Sequence, residues 1–397
     1  MDLEQLAALR SREGSAALDA AADALAAGGT ELATASSLRS QGFPPPLAAE
    51  ALTQVRLRAR AEAKFGPDAA RMFFTADGLE QATRPVVAAR RAARLTQAGV
   101  RRLTDLGCGL GADTIAFARA GINVHAVEAD PVTAAITAHN LEQLGLDAVV
   151  TCTDAQSVAL DRVGAAFCDP ARRVHGAGVR RTRRVFRPED YSPPWDWVSS
   201  LPALVPYTVL KLAPGIDHDL LPDGCELELT SVDGDVVEAA AWCGPLAQVP
   251  RRATVLRKRV PHELTGSGLA RAPVAEPASF VSDPDGAVVR AHLVAEYATL
   301  IDGHLADPDI AYVWSPAPAA TPFGRCFAVD EVIPFSLKRL RAALRARGVG
   351  RAEILKRGSA LDVEQLRRDL RLSGSGEASL LLTRVAGRPV AVIAHPV

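Results

Sequence analysis

The chain has 397 residues, 48% apolar and 23% charged, an ordinary globular balance that excludes a disordered or fibrous protein. That length allows roughly two to three domains of about 150 residues each. A net charge of −1 excludes a whole-molecule field drawing the chain to nucleic acid or an anionic membrane, so any basic surface is local.

The N-terminus, MDLEQLAALRSREGS, carries acids early and no apolar run, unlike a signal peptide. Residues 1–62 are Ala/Leu-rich with helical spacing: Leu6 and Leu9 give one face, Leu47, Leu52, Val55 and Leu57 another. Gly28-Gly29 and the run Gly42 to Pro46 separate these stretches, which predicts a small N-terminal helical domain. From Val100 the pattern alternates. Val100–Leu106, Ile122–Glu128, Ala148–Cys152, Ala165–Cys168 and Tyr207–Leu212 read as strands, with helices at Asp113–Ala120 and Pro131–Leu144. Cys225–Thr230 and Val236–Trp242 flank Ser231-Val-Asp-Gly-Asp235 as a hairpin. This predicts an α/β, Rossmann-like sheet, mostly parallel, with an antiparallel C-terminal hairpin. Beyond Pro250, Gly266, Gly268, Pro273 and Pro277 mark loops, and Val288–Ile301 reads as a helix. From Ala328 a compact α+β module follows. Its first helix starts at Ser336 and aligns Leu337, Leu340 and Leu344, and strands at Ala352–Leu355, Ser379–Val385 and Val390–Ala394 surround a helix at Val363–Leu370.

No stretch reaches the ~18 consecutive apolar residues of a membrane span. The six cysteines, Cys108, Cys152, Cys168, Cys225, Cys243 and Cys326, include no C-x-x-C pair. The expectation is a soluble, cytoplasmic protein with reduced thiols and no metal site. Five of the 45 basic residues are Lys; with the abundant Ala, this is the bias of a GC-rich genome, and it lowers the weight of every arginine cluster.

Arg101-Arg-Leu-Thr-Asp-Leu-Gly-Cys-Gly-Leu-Gly111 is the strongest motif. A strand runs into Gly107, Gly109 and Gly111, and a helix opens after them, so the backbone can turn sharply and approach a nucleoside. Gly107-x-Gly109-x-x-Ala112 also satisfies a dinucleotide fingerprint, and Glu128, ending the next strand, meets a ribose hydroxyl under either reading. Asp105 separates them, because a carboxylate there repels a pyrophosphate and suits the ammonium or sulfonium of S-adenosylmethionine. Asp154 and Asp169 follow the third and fourth strands, as though several strand ends edge one crevice.

"DLGCGLGADTIAFARAGINVHAVEADPVTAAITAHNLEQLG" resembles the first half of a class I S-adenosylmethionine-dependent methyltransferase, most of all the trimethylguanosine-synthase type of RNA guanine-N2 methyltransferases. "MFFTADGLEQATRPVVAARRAARL" resembles their lead-in segment, and the whole chain is similar to bacterial proteins that add a ferredoxin-like insert and a C-terminal THUMP-like domain. The resemblance implies a helical domain over 1–62, a methyltransferase domain over 63–248, a ferredoxin-like α+β domain over 249–327 and a THUMP-like domain over 328–397. It implies that Asp105, Gly107, Cys108, Gly109 and Gly111 hold the methionine part of the donor, that Glu128 takes the ribose, and that Asp154 and Ala155 contact the adenine. Thr75, Gln81 and Thr83 reach the donor's amino-acid end, or else cap helices.

Base-amine methyltransferases carry Asp/Asn/Ser-Pro-Pro-aromatic where the fourth strand ends. Here the stretch is Asp169-Pro170-Ala171-Arg172, so the acid and first proline match and the ring is missing. Arg172 can stack on a base or hold a phosphate, and Tyr191 or Trp195 can supply the ring. The departure leaves the modified atom open. Arg173, Arg180, Arg181 and Arg183 make a phosphate-tracking edge or a solvated loop. Between Lys338 and Arg371 stand eleven basic and four acidic residues; Arg339, Arg345, Lys356 and Arg357 are the candidate RNA contacts, against an ordinary solvated helix face. The expected activity is methylation of a tRNA or rRNA base. Its rivals are a small-molecule or protein methyltransferase, a donor-binding RNA platform with little catalysis, and an NAD-dependent oxidoreductase.

Overall fold

The computed structural model describes residues 1–172 and 191–397. It divides into two compact units: Met1–Leu212 with Asp217–Cys225 and Ala241–Leu246, and Ala213–Ile216 with Glu226–Ala240 and Ala247–Val397.

The first unit opens with four helices, α1 (Leu3–Arg10), α2 (Arg12–Ala26), α3 (Glu31–Ser40) and α4 (Pro45–Phe65). Their starts are written in the sequence: side chains of Asp2, Ser11 and Thr30 accept from backbone amides of the first turns, and Pro45 opens α4. Leu6, Leu9, Leu47 and Leu57 share one apolar cluster with Phe73, Phe74, Leu110, Ile115, Ile136 and Leu141. The helical segment therefore covers apolar residues of the alternating segment. Two amides fasten the extended stretch between them. Gln54 bonds both backbone groups of Phe74, at 3.1 and 2.9 Å, and Asn140 bonds both of Phe73, at 2.8 and 3.1 Å. Each amide supplies a donor and an acceptor to buried backbone, as a neighbouring strand would.

Then come α5 (Ala76–Gln81), α6 (Pro85–Gln97), β1 (Arg102–Leu106), α7 (Ala112–Arg119), β2 (Asn123–Glu128), α8 (Pro131–Gln143), β3 (Ala148–Cys152) and β4 (Ala166–Cys168). A two-stranded antiparallel ribbon of β5 (Ala171–Arg172) and β6 (Tyr191–Ser192) precedes α9 (Trp195–Leu204) and β7 (Thr208–Leu212). The strands lie in the order β7-β4-β1-β2-β3, all parallel. Strand order reverses between β1 and β4, and the carboxyl ends of strands at such a switch edge the ligand crevice of a doubly wound sheet. Between β3 and β4 the chain makes only short 3-10 turns, Ala155–Ser157 and Leu160–Arg162. A groove of about 450 Å³ lies there, lined by Arg102, Thr104, Asn123, His125, Thr151 and Thr153 among others, and no residue expected in the site lines it.

β8 (Glu226–Val232) and β9 (Asp235–Cys243) are sheet neighbours joined by Asp233-Gly234, with φ of 50° and 99°. Two left-handed residues in a two-residue loop are the hairpin geometry expected from the sequence. β10 (Arg251–Arg257) pairs parallel with β8 and antiparallel with β11 (Val260–Gly266). A separate sheet holds β12 (Phe280–Pro284), β13 (His304–Leu305), β14 (Val313–Ser315), β15 (Gly324–Pro334), β16 (Val349–Lys356), β17 (Gly376–Val385) and β18 (Arg388–Pro396), in the order β13-β14-β12-β15-β18-β17-β16. Alternation along β17 sorts its leucines: Leu380 and Leu382 join Leu340 and Leu344 of α12 (Leu337–Ala346) and Leu366 and Leu370 of α13 (Val363–Leu370), while Leu381 packs with Trp314 and Phe327.

Two expectations need correction, and one strand crosses an expected boundary. The helix expected over Val288–Ile301 is two shorter ones, α10 (Gly286–Arg290) and α11 (Val294–Leu300), because His292 at φ 60° breaks the right-handed path. β15 runs across the expected boundary after residue 327. The thiols are not all reduced: Cys225, just before β8, and Cys243, ending β9, form a disulfide with Cα atoms 4.4 Å apart. Hairpin pairing brings these cysteines together, which their spacing of 18 residues did not announce.

Candidate active site

The glycine loop follows β1. Gly107, Gly109 and Gly111 adopt φ of 91°, 53° and 85°, all in the left-handed region. A Cβ at Gly107 would lie 3.0 Å from the carbonyl oxygen of Asp169, and one at Gly111 2.9 Å from Cγ2 of Thr137. The loop is tied down from β2: the amides of Gly107 and Cys108 donate to the Val127 carbonyl at 2.9 and 3.0 Å, and Thr137 of α8 donates to the Gly109 carbonyl. Cys108 is buried, and burial pushes its thiol up, so it contributes packing rather than reactivity.

Asp105 is fully buried at the end of β1. One carboxylate oxygen accepts from the Thr114 hydroxyl at 2.5 Å, and the other, Oδ1, has no hydrogen-bond partner among the described residues. Burial pushes Asp105 up to about 8; Asp113 and Asp169 add to the rise, and the Thr114 hydrogen bond and Arg91 oppose it. A buried carboxylate with an unmatched oxygen suits a cationic hydrogen-bond donor. Glu128 is half-buried at the end of β2. Its two oxygens accept from the amides of Gly109, at 3.0 Å, and Asp130, at 2.9 Å, which fixes the carboxylate over the glycine loop. Asp154 is exposed after β3 and accepts from the Gln156 amide at 2.8 Å, beside buried Ala155.

The lead-in residues are placed differently from one another. Thr75 caps α5, accepting from the Gly78 amide at 3.1 Å; Gln81 is exposed at the end of that helix. Thr83 is buried and donates to Asp113 of α7 at 2.6 Å. The other oxygen of Asp113 takes a short hydrogen bond from buried Arg91, whose guanidinium lies 4.7 Å from the Phe167 ring centroid. Asp113 and Arg91 were not singled out in the sequence, where each is one charge among many on a helix.

On the other side of β1, Asp169 directly follows β4. Its amide donates to the Leu106 carbonyl at 3.3 Å, which sets the Asp-Pro corner against the glycine loop; Pro170 is buried behind it. Lys211 of β7 donates to Oδ2 of Asp169 at 2.5 Å. Lys64, at the end of α4, donates to the carbonyls of Leu79 and Glu80 at 2.9 and 3.4 Å; burial, helped by the cations Lys211 and Arg84, brings it down to about 8. The β5–β6 ribbon sets Arg172 opposite Tyr191, which is buried with its ring centroid 6.0 Å from that of Trp195. Tyr191 thus follows the Asp-Pro corner in space, although it is 22 residues later in the chain. Arg173, Arg180, Arg181 and Arg183 lie outside the described residues.

In the second unit Arg339, Arg345 and Lys356 are exposed, Lys356 with a hydrogen bond to the Leu361 carbonyl at 2.7 Å. Arg357 turns inward. It bonds Asp283 at 2.7 Å and the Pro284 carbonyl at 2.9 Å, which commits its guanidinium to packing. Among the described residues no helix is long and apolar enough to cross a membrane, and no cluster of side chains could hold a metal ion.

A "THUMP domain-like" family model matches residues 324–396, and a model for a domain of unknown function matches residues 2–61. A protein of Mycobacterium tuberculosis, from strains CDC 1551 / Oshkosh and ATCC 25618 / H37Rv, is 37% identical over 345 residues, or 83% of this chain and 90% of its own. It is named an uncharacterized S-adenosylmethionine-dependent methyltransferase. A solved structure from Porphyromonas gingivalis W83, described provisionally as a methyltransferase, matches with a TM-score of 0.72 at 24% identity, covering 89% of this chain and 92% of that one. At that identity the likeness speaks for the fold.

Proposed function

The chain belongs to the S-adenosylmethionine-dependent methyltransferases, and on that premise we propose that it methylates a base of structured RNA, tRNA or rRNA, with Asp169 orienting the acceptor. The observation that carries this reading is the contact between the two halves of the crevice. The Asp169 carbonyl oxygen lies 3.0 Å from where a Cβ at Gly107 would be, so an acceptor at Asp169 and a donor on the glycine loop would be neighbours.

The residues fit the donor. Asp105 has a buried oxygen without a hydrogen-bond partner among the described residues, and a cationic group meets that need; the glycine loop has backbone where a side chain would intrude. Asp105 and the glycine loop hold the methionine end in this reading, Glu128 the ribose hydroxyls, and Asp154 with Ala155 the adenine edge. When bound there, S-adenosylmethionine would supply an electrophilic methyl group on positively charged sulfur, which would keep the bonding electrons, and the acceptor's proton would pass to water. Asp169 accepts a hydrogen bond from the acceptor and aims that lone pair, and such positioning supplies much of the rate in a displacement. A base reached this way stands outside its stack.

RNA as substrate is supported by the THUMP-like match and by exposed Arg339, Arg345 and Lys356, which suit phosphate contacts. The altered Asp-Pro-Ala-Arg corner favours the second reading, a donor-binding RNA platform with little catalysis. Incubating the full chain with methyl-labelled S-adenosylmethionine and total RNA from a deletion strain separates them. Labelled tRNA or rRNA is expected; RNA that binds yet takes no label supports the platform, and label appearing only in protein or small molecules removes RNA as the substrate.

A further inference from the structure

Lys211 is the ionic partner the acceptor site has and the sequence motif does not mention. β4 and β7 run parallel with Cys168 opposite Leu210, so Asp169 and Lys211 fall on the next rung of one ladder. The pair is neither a surface ion pair nor a buried one, with side chains 36% and 14% exposed. Its 2.5 Å contact is a charge-assisted bond, which fixes a carboxylate that would otherwise turn about its last torsion. The other oxygen of Asp169 has no hydrogen-bond partner among the described residues. The choice of cation is informative in a chain where only five of 45 basic residues are Lys. A guanidinium tends to grip both carboxylate oxygens at once, whereas an ammonium acts as a point charge and can hold one. Lys211 also offsets the negative charge that Asp169 sets near Asp105, whose proton affinity that charge helps to raise.

We propose that Lys211 is a positioning residue of the acceptor site, holding Oδ2 of Asp169 so that Oδ1 alone is presented to the substrate. A single presented acceptor oxygen takes one donor hydrogen, which suits a neutral nucleophile that carries hydrogen, such as the exocyclic amine of a base; an anionic oxygen nucleophile is repelled. This rests on the reading of Asp169 as the acceptor's carboxylate.

The test uses the full chain carrying Lys211→Met, with Lys211→Gln as a second variant should the first fold poorly, and Lys211→Arg, Asp169→Asn and the Lys211→Met/Asp169→Asn double variant. With RNA, Lys211→Met is expected to lower kcat about 100-fold while KM for RNA stays within about threefold, because positioning is lost and binding is kept. The double variant is expected to be no slower than Asp169→Asn alone, since the two residues act as one unit. Lys211→Arg is expected to remain slow, with both oxygens of Asp169 engaged. A readout that needs no acceptor accompanies these: the ratio of affinities for S-adenosylmethionine, a sulfonium, and for its demethylated, uncharged product. That ratio is expected to rise about threefold in Lys211→Met, where Asp169 is left uncompensated, and to stay at wild type in Lys211→Arg. A purely structural lysine would move both affinities together. Near-normal kcat in Lys211→Met, an unchanged ratio, or additive losses in the double variant would overturn the proposal. If wild type labels no RNA, the substrate reading falls by itself, and the affinity ratio still decides the role of Lys211.

Discussion

In the site proposed above, the donor and acceptor halves of the crevice are built in different ways. Most of the proposed donor half comes from one stretch, Asp105 to Glu128, with Asp154 and Ala155 added after β3, and its shape is backbone shape: three left-handed glycines, with Glu128 tied to the amides of Gly109 and Asp130. The acceptor half is assembled from side chains far apart in sequence: Asp169 after β4, Lys211 on β7, and Tyr191 across a ribbon from Arg172. A site made of backbone tolerates little change, because each glycine answers a specific torsion or contact. A site made of separate side chains can be rewritten one residue at a time. The same donor chemistry can therefore serve different acceptors, and the Asp-Pro-Ala-Arg corner is where this chain differs from the motif it resembles.

That contrast can be broken experimentally, most strongly at the acceptor. Asp169→Ala is expected to cut methyl transfer about a hundredfold or more, with calorimetric affinity for S-adenosylmethionine within about twofold of wild type; a collapse of donor affinity would mean that the halves are not separable. Asp105→Asn acts on the other half. Removing a charge-assisted hydrogen bond of about 1.5–3 kcal/mol predicts donor affinity roughly 10- to 150-fold weaker. Its fold is expected to survive, since the amide can still accept from Thr114.

The donor half is also pH-sensitive, to a smaller extent. Asp105 sits at about 8, so it is mostly protonated at neutral pH in the free protein, and a cationic donor favours its ionised form. Binding therefore releases a proton, and affinity is expected to rise by up to about tenfold per pH unit below 8 and to level off above it. Folding stability runs the opposite way: it is fully present below the ordinary carboxylate range and declines as pH rises towards about 8. Calorimetry in two buffers of different ionisation heat checks this, and the absence of proton release at pH 7 would refute it. The smallest effect falls where the halves meet. Gly107→Ala puts a side chain into the left-handed region, 3.0 Å from the Asp169 carbonyl, and should cost about 1–2 kcal/mol in urea unfolding while slowing transfer more than it weakens donor binding.

Much of the first unit was legible because its signals are local. The alternation of strand and helix, the breaker Gly28-Gly29 and the glycine loop depend on neighbours within a few residues. The expected strand Ala148–Cys152 and helix Val363–Leu370 recur at those limits. The break at His292 was hidden, because nothing in a run of helix formers marks a left-handed residue. Lys211 had one faint signal, a lysine where this chain uses arginine.

Sequence by itself determined the order of elements, the turn at each glycine and the carboxylates that end the strands, since torsional preference and apolar period act over short range. Only the tertiary structure decided which side chains meet: Lys211 with Asp169, Arg91 with Asp113, Arg357 with Asp283, and Cys225 with Cys243. These pairs join residues 18 to 74 positions apart, and whether two such side chains touch is set by strand register and packing, which no local pattern encodes.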